Sequence, residues 1–212
     1  MIRRPLAPVL LVGMWAFALA VFRRLPPEVP THWSFSGEID GWGPRFPAAF
    51  IAPAAATLVW LVMRFQGRID PRRLEVERST PTRMLLAEIV VAFMAALEVL
   101  TLGAALGWPV DIGRAMWPLT GLLFVLMGNY LPRVRPNWFV GVRTPWTLAS
   151  DAVWRDTHRL AGWTFVAGGL VIAAAFFLPA PVRPAVGVAA FVVAAAVPAA
   201  YSFVRWRREG RR

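Results

Sequence analysis

The side chains that could do chemistry in this chain are few, and one group of them lies near the N-terminal end. His32, Glu38 and Asp40 place one imidazole and two carboxylates within nine residues, a set that could bind a divalent metal ion. Zinc sites take three or four ligands, and the second histidine, His158, stands far along the chain. We therefore expect no metal site, although these three residues remain the strongest metal-binding candidates.

Two glutamates, Glu88 and Glu98, interrupt a long apolar run. Ten residues separate them, about 15 Å along a helix, which is too far for two carboxylates that share a proton. An ionisable group inside a membrane-spanning helix is costly and often functional. A transporter or membrane-embedded enzyme that uses Glu98, Arg143 and His158 therefore stands as an alternative. Glu88 lies nearer the end of the run, where it is expected to snorkel to the membrane interface or to pair with an arginine such as Arg83 or Arg143.

The residue types and motifs that the sequence lacks narrow the chemistry further. There is no cysteine and all 23 basic residues are arginine, so thiol, disulfide and lysine Schiff-base chemistry are excluded. The sequence also lacks a Gly-x-Ser-x-Gly elbow, a phosphate-binding glycine loop, a paired-histidine zinc helix and a dinucleotide fingerprint. We expect no catalytic residue and no cofactor, and we predict that the protein is not an enzyme.

The elements that must position these residues are apolar helices. With 58% hydrophobic residues, 17% charged residues and a mean hydropathy of +0.53, the chain of 212 residues is too apolar for a soluble domain. Six apolar runs are long enough to cross a hydrocarbon core of about 30 Å. They cover 5–22, 46–63, 84–106, 115–131, 160–178 and 185–204. The predicted fold is an all-α, six-span integral membrane domain over residues 1–212.

The arginines predict the orientation of these spans. An even number of spans puts both termini on one side, and if that side is cytoplasmic, 18 arginines lie inside and 5 outside. Basic residues favour cytoplasmic flanks, so both termini are predicted to be cytoplasmic. The net charge of +11 then reflects flanks that contact anionic lipids, including the basic tail 205–212, and direct binding of nucleic acid is not expected.

The loop between the first two spans, residues 23–45, would face the outside of the cell. Its four prolines and three glycines exclude a continuous helix and predict an ordered, turn-rich cap. Four ring side chains can pack at the membrane interface, where amphipathic aromatic rings are favoured: His32, Trp33, Phe35 and Trp42.

The longest loop, residues 132–159, would lie on the cytoplasmic side. Ser150 or Asp151 can cap a helix that then runs through Gly162 into the fifth span. On this helix Trp154 and His158 stand four residues apart and share a face. An interfacial network that fixes the loop is expected from Asn129, Asn137, Arg143, Asp151 and His158.

Three motifs around this loop carry a family resemblance. They are GNYLP at 128–132, NWFVGVRTPWTL at 137–148 and VWRDTHRLAG at 153–162, and together they resemble the signature of the SdpI family of bacterial immunity proteins. The pattern Pro30-x-His32-Trp33-x-x-x-Gly37-x-x-Asp40 is similar to the extracytoplasmic loop domain that accompanies this signature.

The resemblance implies a multi-pass protein of the bacterial inner membrane that protects the cell from a secreted, membrane-active toxin peptide. It also implies signal transduction, in which the toxin-occupied protein recruits a cytoplasmic transcriptional repressor. The expected partners are a hydrophobic peptide toxin outside, a repressor inside, and membrane lipids. Span four, which contains Pro118, Gly121 and Gly128, is the candidate two-state element between the two sides.

The candidate site residues come from these motifs and from the glutamates. The toxin-side candidates are Pro30, His32, Trp33, Gly37 and Asp40. The inner-signature candidates are Asn129, Pro132, Asn137, Gly141, Arg143, Thr144, Trp146, Thr147, Trp154, Thr157 and His158. The intramembrane polar candidates are Glu88 and Glu98. Arg143 could anchor a carboxylate or phosphate through its forked donors, whereas Gly37 and Gly141 are expected to permit turns.

Overall fold

The computed structural model describes residues 6–34 and 37–210. Residue 5 of the first predicted span, Arg3 and Arg4 of the orientation count, Phe35 of the outer loop, and Arg211 and Arg212 of the tail lie outside this part of the chain. Within it the helices are α1 (Leu6–Phe22), α2 (Arg45–Phe65), α3 (Arg73–Arg78), α4 (Thr80–Ala105), α5 (Ile112–Tyr130), α6 (Pro145–Ala149), α7 (Asp151–Ala174) and α8 (Arg183–Glu209).

Most of the described residues are helical, which supports the α-helical membrane class of the predicted all-α, six-span fold. Four helical stretches are long and apolar enough to cross a membrane, namely Arg45–Arg68, Thr80–Ala105, Asp151–Phe177 and Arg183–Glu209. Helix α1 is apolar but has 17 residues, and α5 has 19 residues with Arg114 near its start and Asn129 near its end. Helices suit the membrane interior because they satisfy their backbone polar groups internally.

The loop between α1 and α2 contains a hairpin that the sequence did not predict. Strands β1 (Glu28–Trp33) and β2 (Ile39–Pro44) pair antiparallel, so the fold is not wholly α-helical. Val29 of β1 is buried, which fixes one face of the hairpin against the helices. Gly41 permits close contact between the strands, since a Cβ there would lie 2.8 Å from Cβ of His32. The turn-forming residues of this loop are therefore compatible with a short two-stranded ribbon.

The helices pack around one apolar core, and two further apolar clusters lie at opposite ends of the bundle. The core joins α1, α2 and α4 through Ala7, Leu11, Met14, Ala56 and Val91. A second cluster, at what we call the hairpin end, consists of Val21, Leu25, Val29, Ala49 and Leu102. The third cluster joins α4 and α7 to the segment after α5 through Leu86, Val134, Val140 and Trp154. We call this opposite end the signature end.

Helices α5 and α7 approach each other closely at two pairs of glycines. A Cβ on Gly121 would lie 2.5 Å from the carbonyl oxygen of Gly169, and one on Gly128 would lie 2.8 Å from that of Gly162. In each helix the two glycines are seven residues apart, so they lie on one face. Small residues let membrane helices pack backbone to backbone. The helix of predicted span four is thus packed directly against the helix that carries His158.

Candidate functional site

At the hairpin end, His32 and Asp40 meet across the two strands. Nδ1 of His32 donates a hydrogen bond to Oδ1 of Asp40 at 2.5 Å, and the two side chains are 73% and 45% exposed. Two of the predicted toxin-side residues therefore lie together at the surface. Exposed ion pairs contribute only about 0–1 kcal/mol to stability, so little of the fold depends on this pair.

The other toxin-side candidates attach the hairpin to the helices. Gly37 has a φ of +94°, and a Cβ there would lie 2.9 Å from Cα of Gly113 near the start of α5. Glycine suits both this backbone conformation and this close approach. Pro30 is buried in β1, and Trp33 lies partly buried beside Ile112 of α5. These three residues position the exposed pair rather than join it.

A cavity of about 510 Å³ opens next to the hairpin. Trp33 and Ser34 line one side, and α5, α7 and α8 supply a wall that is almost entirely apolar. The larger wall side chains are those of Ile112, Met116, Trp117, Ile172, Phe191 and Val192. A mostly apolar, concave surface of this kind suits a hydrophobic side chain or segment rather than an ion.

The metal-binding alternative at this end finds no ligand set among the described residues. Among residues 6–34 and 37–210, no three histidine, aspartate or glutamate side chains gather so that they could hold a metal ion. His32 and Asp40 meet as a pair, and a pair is fewer ligands than a zinc site takes.

At the signature end, Asn137 shapes the backbone of the loop. Its Oδ1 accepts hydrogen bonds from the backbone N–H of Phe139 and Val140 at 2.8 and 2.7 Å. Its Nδ2 donates to the carbonyls of Arg135 and Val140 at 2.9 and 3.0 Å. The side chain is fully buried and uses its whole hydrogen-bonding capacity. Asn137 is therefore committed to closing a turn.

His158 holds the second half of the signature together. Its Nε2 accepts from the backbone N–H of Val142 at 3.0 Å, and its Nδ1 donates to the carbonyl of Trp154 at 2.8 Å. This geometry requires a neutral ring with its hydrogen on Nδ1. The ring stacks on Trp154 with centroids 4.0 Å apart, which confirms that the two residues share a helix face. Because backbone groups occupy both nitrogens, His158 is not placed to act as a base.

Gly141 is the glycine that this arrangement needs. Its φ is +115°, and a Cβ there would collide with Nε2 of His158. The predicted turn at Gly141 is confirmed, and the close approach to the imidazole is a second reason for glycine.

The threonines of the signature cap α6 and attach it to α8. Oγ1 of Thr144 accepts from the backbone N–H of Thr147 at 3.2 Å, and Oγ1 of Thr147 accepts from that of Thr144 at 2.9 Å. Such a reciprocal capping box satisfies donors at the helix start. Oγ1 of Thr144 also lies 2.9 Å from Oγ of Ser202, and Trp146 packs on Phe203 with ring centroids 4.9 Å apart.

Three further signature residues lie where the loop meets α7. Pro132 packs on Gly162, where a Cβ would lie 2.6 Å from Cγ of the proline. Nε1 of Trp154 donates to the carbonyl of Val134 at 2.9 Å. Thr157 is buried, and within the described residues its hydroxyl makes no hydrogen bond. Ser150 caps α7, which runs through Gly162 without a break, as predicted.

Arg143 does not join the network that the sequence predicted. Its Nη1 donates to the carbonyl of Trp138 at 2.6 Å, and the residue is exposed. Asn129 binds within its own helix, to the carbonyl of Val125 at 2.8 Å. The expected network is wrong because its members, Asn129, Asn137, Arg143, Asp151 and His158, each bind nearby backbone or a different partner.

Two residues that sequence reasoning missed join the loop before α3 to the loop between α5 and α7. The buried Asp70 accepts from the backbone N–H of Trp138 at 2.9 Å. Arg72 donates to Oδ1 of Asp151 at 2.5 Å and to the carbonyl of Leu148 at 2.7 Å. The sequence offered one signal for a role of Asp70: it is the only aspartate in the arginine-rich loop 64–83. Its partner lies 68 residues away, where no local pattern reaches.

Glu88 has a different partner from the one predicted. Its Oε1 accepts from the backbone N–H of Leu6 in the first turn of α1 at 3.1 Å. Arg83 instead donates to the carbonyl of Val76 at 2.9 Å. The predicted pairing of Glu88 with Arg83 or Arg143 is therefore wrong. The unpaired N–H groups at a helix start favour a carboxylate, which explains the observed contact.

Glu98 is buried and has no hydrogen-bond partner among the described residues. It is 1% exposed, and neither carboxylate oxygen makes a hydrogen bond there. On the same helix, Leu86 belongs to the cluster that contains Trp154, the stacking partner of His158. Leu86 and Glu98 are twelve residues apart, about 18 Å along α4. Glu98 and His158 therefore do not form one site.

Comparison with known proteins agrees with the motifs. Residues 133–202 match the SdpI/YfhL protein family, and residues 9–57 match a domain of unknown function (DUF1648). The chain is 24% identical over 163 residues to Immunity protein SdpI of Bacillus subtilis (strain 168), a match that covers 76% of this chain and 74% of that protein. No solved structure matches it. These findings confirm the resemblance to the SdpI family.

Proposed function

We propose that this protein of the SdpI family is an immunity protein that protects a bacterial cell from a secreted, membrane-active toxin peptide. The observation that carries the proposal is the similarity to Immunity protein SdpI, which extends over 76% of the chain. The geometry favours binding over covalent catalysis, because His158 and Asn137 are committed to backbone hydrogen bonds.

In the proposed topology the protein crosses the bacterial inner membrane six times. The four long apolar helices supply four spans, and α1 and α5 supply the other two. Both termini and the signature end are cytoplasmic, since this orientation puts 18 of the 23 arginines inside. The hairpin end then faces the outside of the cell.

The hairpin end is the proposed contact for the toxin. The exposed His32 and Asp40 can exchange their mutual hydrogen bond for bonds to a peptide, at little cost to the fold. The neighbouring cavity beside Trp33 offers an apolar surface of about 510 Å³ to a hydrophobic segment. A surface-exposed polar pair next to an apolar cavity suits a peptide that is itself amphipathic.

The signature end is the proposed surface for a cytoplasmic repressor. Arg143 and Trp138 are exposed there and are linked by a hydrogen bond of 2.6 Å. Coupling between the two ends would pass along α5 and α7, whose glycine faces run between them. Two packings of this helix pair, each favoured by one ligand, would supply the required two-state element.

Survival of a toxin-sensitive bacterium tests the proposal. Cells with this protein, and cells with an empty vector, are challenged with the killing peptide at matched levels of inserted membrane protein. Protection is the expected result. Equal killing of both strains, with the protein correctly inserted, would overturn the immunity function and leave a transporter or membrane enzyme as the alternative.

A further inference from the structure

A second cavity, of about 490 Å³, lies at the signature end and is lined mainly by polar and charged residues. Its charged residues are Arg133, Arg135 and Arg155, with Glu75 and Asp151. The immunity function proposed above does not use this cavity, and Arg143 does not line it.

The two carboxylates of the cavity are already neutralised by other arginines. Nη1 of Arg78 donates to Oε1 of Glu75 at 2.9 Å, and Nη1 of Arg72 donates to Oδ1 of Asp151 at 2.5 Å. In the described residues, no salt bridge involves Arg133, Arg135 or Arg155. The cavity therefore keeps three positive charges without a matching anion.

The backbone that carries two of these arginines is held in place. The carbonyl of Val134 accepts from Nε1 of Trp154 at 2.9 Å, and the carbonyl of Arg135 accepts from Nδ2 of Asn137 at 2.9 Å. Both donors are buried. A side chain on a fixed backbone loses less conformational freedom when it binds, so the cavity is partly pre-organised.

We propose that this cavity binds a phosphate group, with Arg133, Arg135 and Arg155 donating to its oxygens. Guanidinium groups match phosphate because their forked N–H donors bind two oxygens in one plane. Inorganic phosphate offers four oxygens to such donors, and a phospholipid diester offers two unesterified oxygens that share one negative charge. Phosphatidylcholine carries the same diester with a cationic choline, which the three arginines would repel. The cavity lies beside the ends of α5 and α7, so the phosphate can come from an anionic phospholipid headgroup or from solution.

Binding to the purified full-length protein in neutral detergent tests this proposal. The probes are short-chain phosphatidylglycerol, short-chain phosphatidylcholine and inorganic phosphate, with bound molecules counted by native mass spectrometry. The triple variant R133Q/R135Q/R155Q removes the cavity charges. The matched control R64Q/R207Q/R208Q removes the same charge from exposed arginines of α2 and α8.

The wild type and the matched control are expected to bind phosphatidylglycerol with a Kd that is lower than that of the cavity variant by a factor of about ten. Displacement of the lipid by inorganic phosphate identifies a site for free phosphate, and resistance to displacement identifies a headgroup site; both support the proposal. No preference for phosphatidylglycerol or phosphate over phosphatidylcholine would overturn it, as would equal loss of binding in the control.

The variant R133K/R135K/R155K keeps the charge and guards against misfolding of the glutamine variant. Weaker binding than that of the wild type is expected, because lysine lacks the forked geometry. Binding equal to that of the wild type would overturn the assignment of forked donors. Because these measurements involve no toxin, their failure is distinguishable from failure of the immunity function.

Discussion

The backbone N–H of Val142 donates a hydrogen bond of 3.0 Å to Nε2 of His158, sixteen residues further along the chain. This contact joins the two halves of the family signature, since one residue lies in the loop and the other in α7. The imidazole acts here as a fixed acceptor, and its opposite nitrogen is held by the carbonyl of Trp154. The signature is thus first of all a scaffold at one end of the helices.

Gly141→Ala is expected to destabilise this scaffold by about 2–4 kcal/mol. The added Cβ would collide with Nε2 of His158, and alanine would have to adopt a φ of +115°. Thermal unfolding of the purified protein in detergent measures the effect. Gly107→Ala is the matched control, because Gly107 has a φ of +84° but open space around it, and a loss of about 1 kcal/mol is expected. Equal losses in both variants would show that the contact with His158 does not matter.

His32→Ala and Asp40→Ala are each expected to lower survival in the toxin challenge without lowering the amount of folded protein. Both side chains are exposed, so their removal costs about 1 kcal/mol or less while it deletes the polar part of the proposed contact. Survival is measured at matched membrane levels. Glu28→Ala, on the exposed start of the same strand, serves as the control and should protect like the wild type. Full protection by both variants would exclude this pair as the toxin contact.

Arg143→Ala is expected to leave membrane insertion intact and to abolish recruitment of a cytoplasmic repressor. Its side chain is exposed, and among the described residues it donates only to the carbonyl of Trp138, which water can satisfy after the substitution. The measurement is the membrane-bound fraction of a fluorescent repressor after toxin addition. Arg159→Ala removes an equal charge from an exposed position of α7 and should recruit normally. Continued recruitment by the Arg143 variant would remove this residue from the signalling surface.

Glu98→Gln is expected to leave both toxin protection and solute flux unchanged, because no polar path from Glu98 to His158 is present among the described residues. A change in solute flux across liposomes that contain the variant would favour the transporter alternative.

Glu98→Leu should raise the free energy of unfolding by about 1–3 kcal/mol, since it removes a buried carboxyl group that has no hydrogen-bond partner among the described residues. Glu88→Leu is the contrasting control and should lower stability, because the N–H of Leu6 loses its acceptor.

Local patterns were sufficient wherever the relevant interaction is local. The spacing of Trp154 and His158 predicted a shared helix face, and the stacked rings confirm it. Ser150 or Asp151 was predicted to cap α7, and the side chain of Ser150 does so by accepting from the N–H of Val153. The hairpin was missed because its prolines and glycines signal turns, whereas pairing between strands depends on contacts across the loop.

The sequence alone determined that this is a mainly helical membrane protein that resembles the SdpI family, since apolar run length and motif identity are properties of the chain itself. The tertiary structure decided which polar groups meet. Asp70 reaches Trp138 across 68 residues and Arg72 reaches Asp151 across 79, because helix packing brings two loops to the same end. The packing also separates arginines that look alike in sequence. Arg72 forms a salt bridge with Asp151, whereas Arg133, Arg135 and Arg155 line an open cavity, and sequence periodicity does not distinguish the two groups.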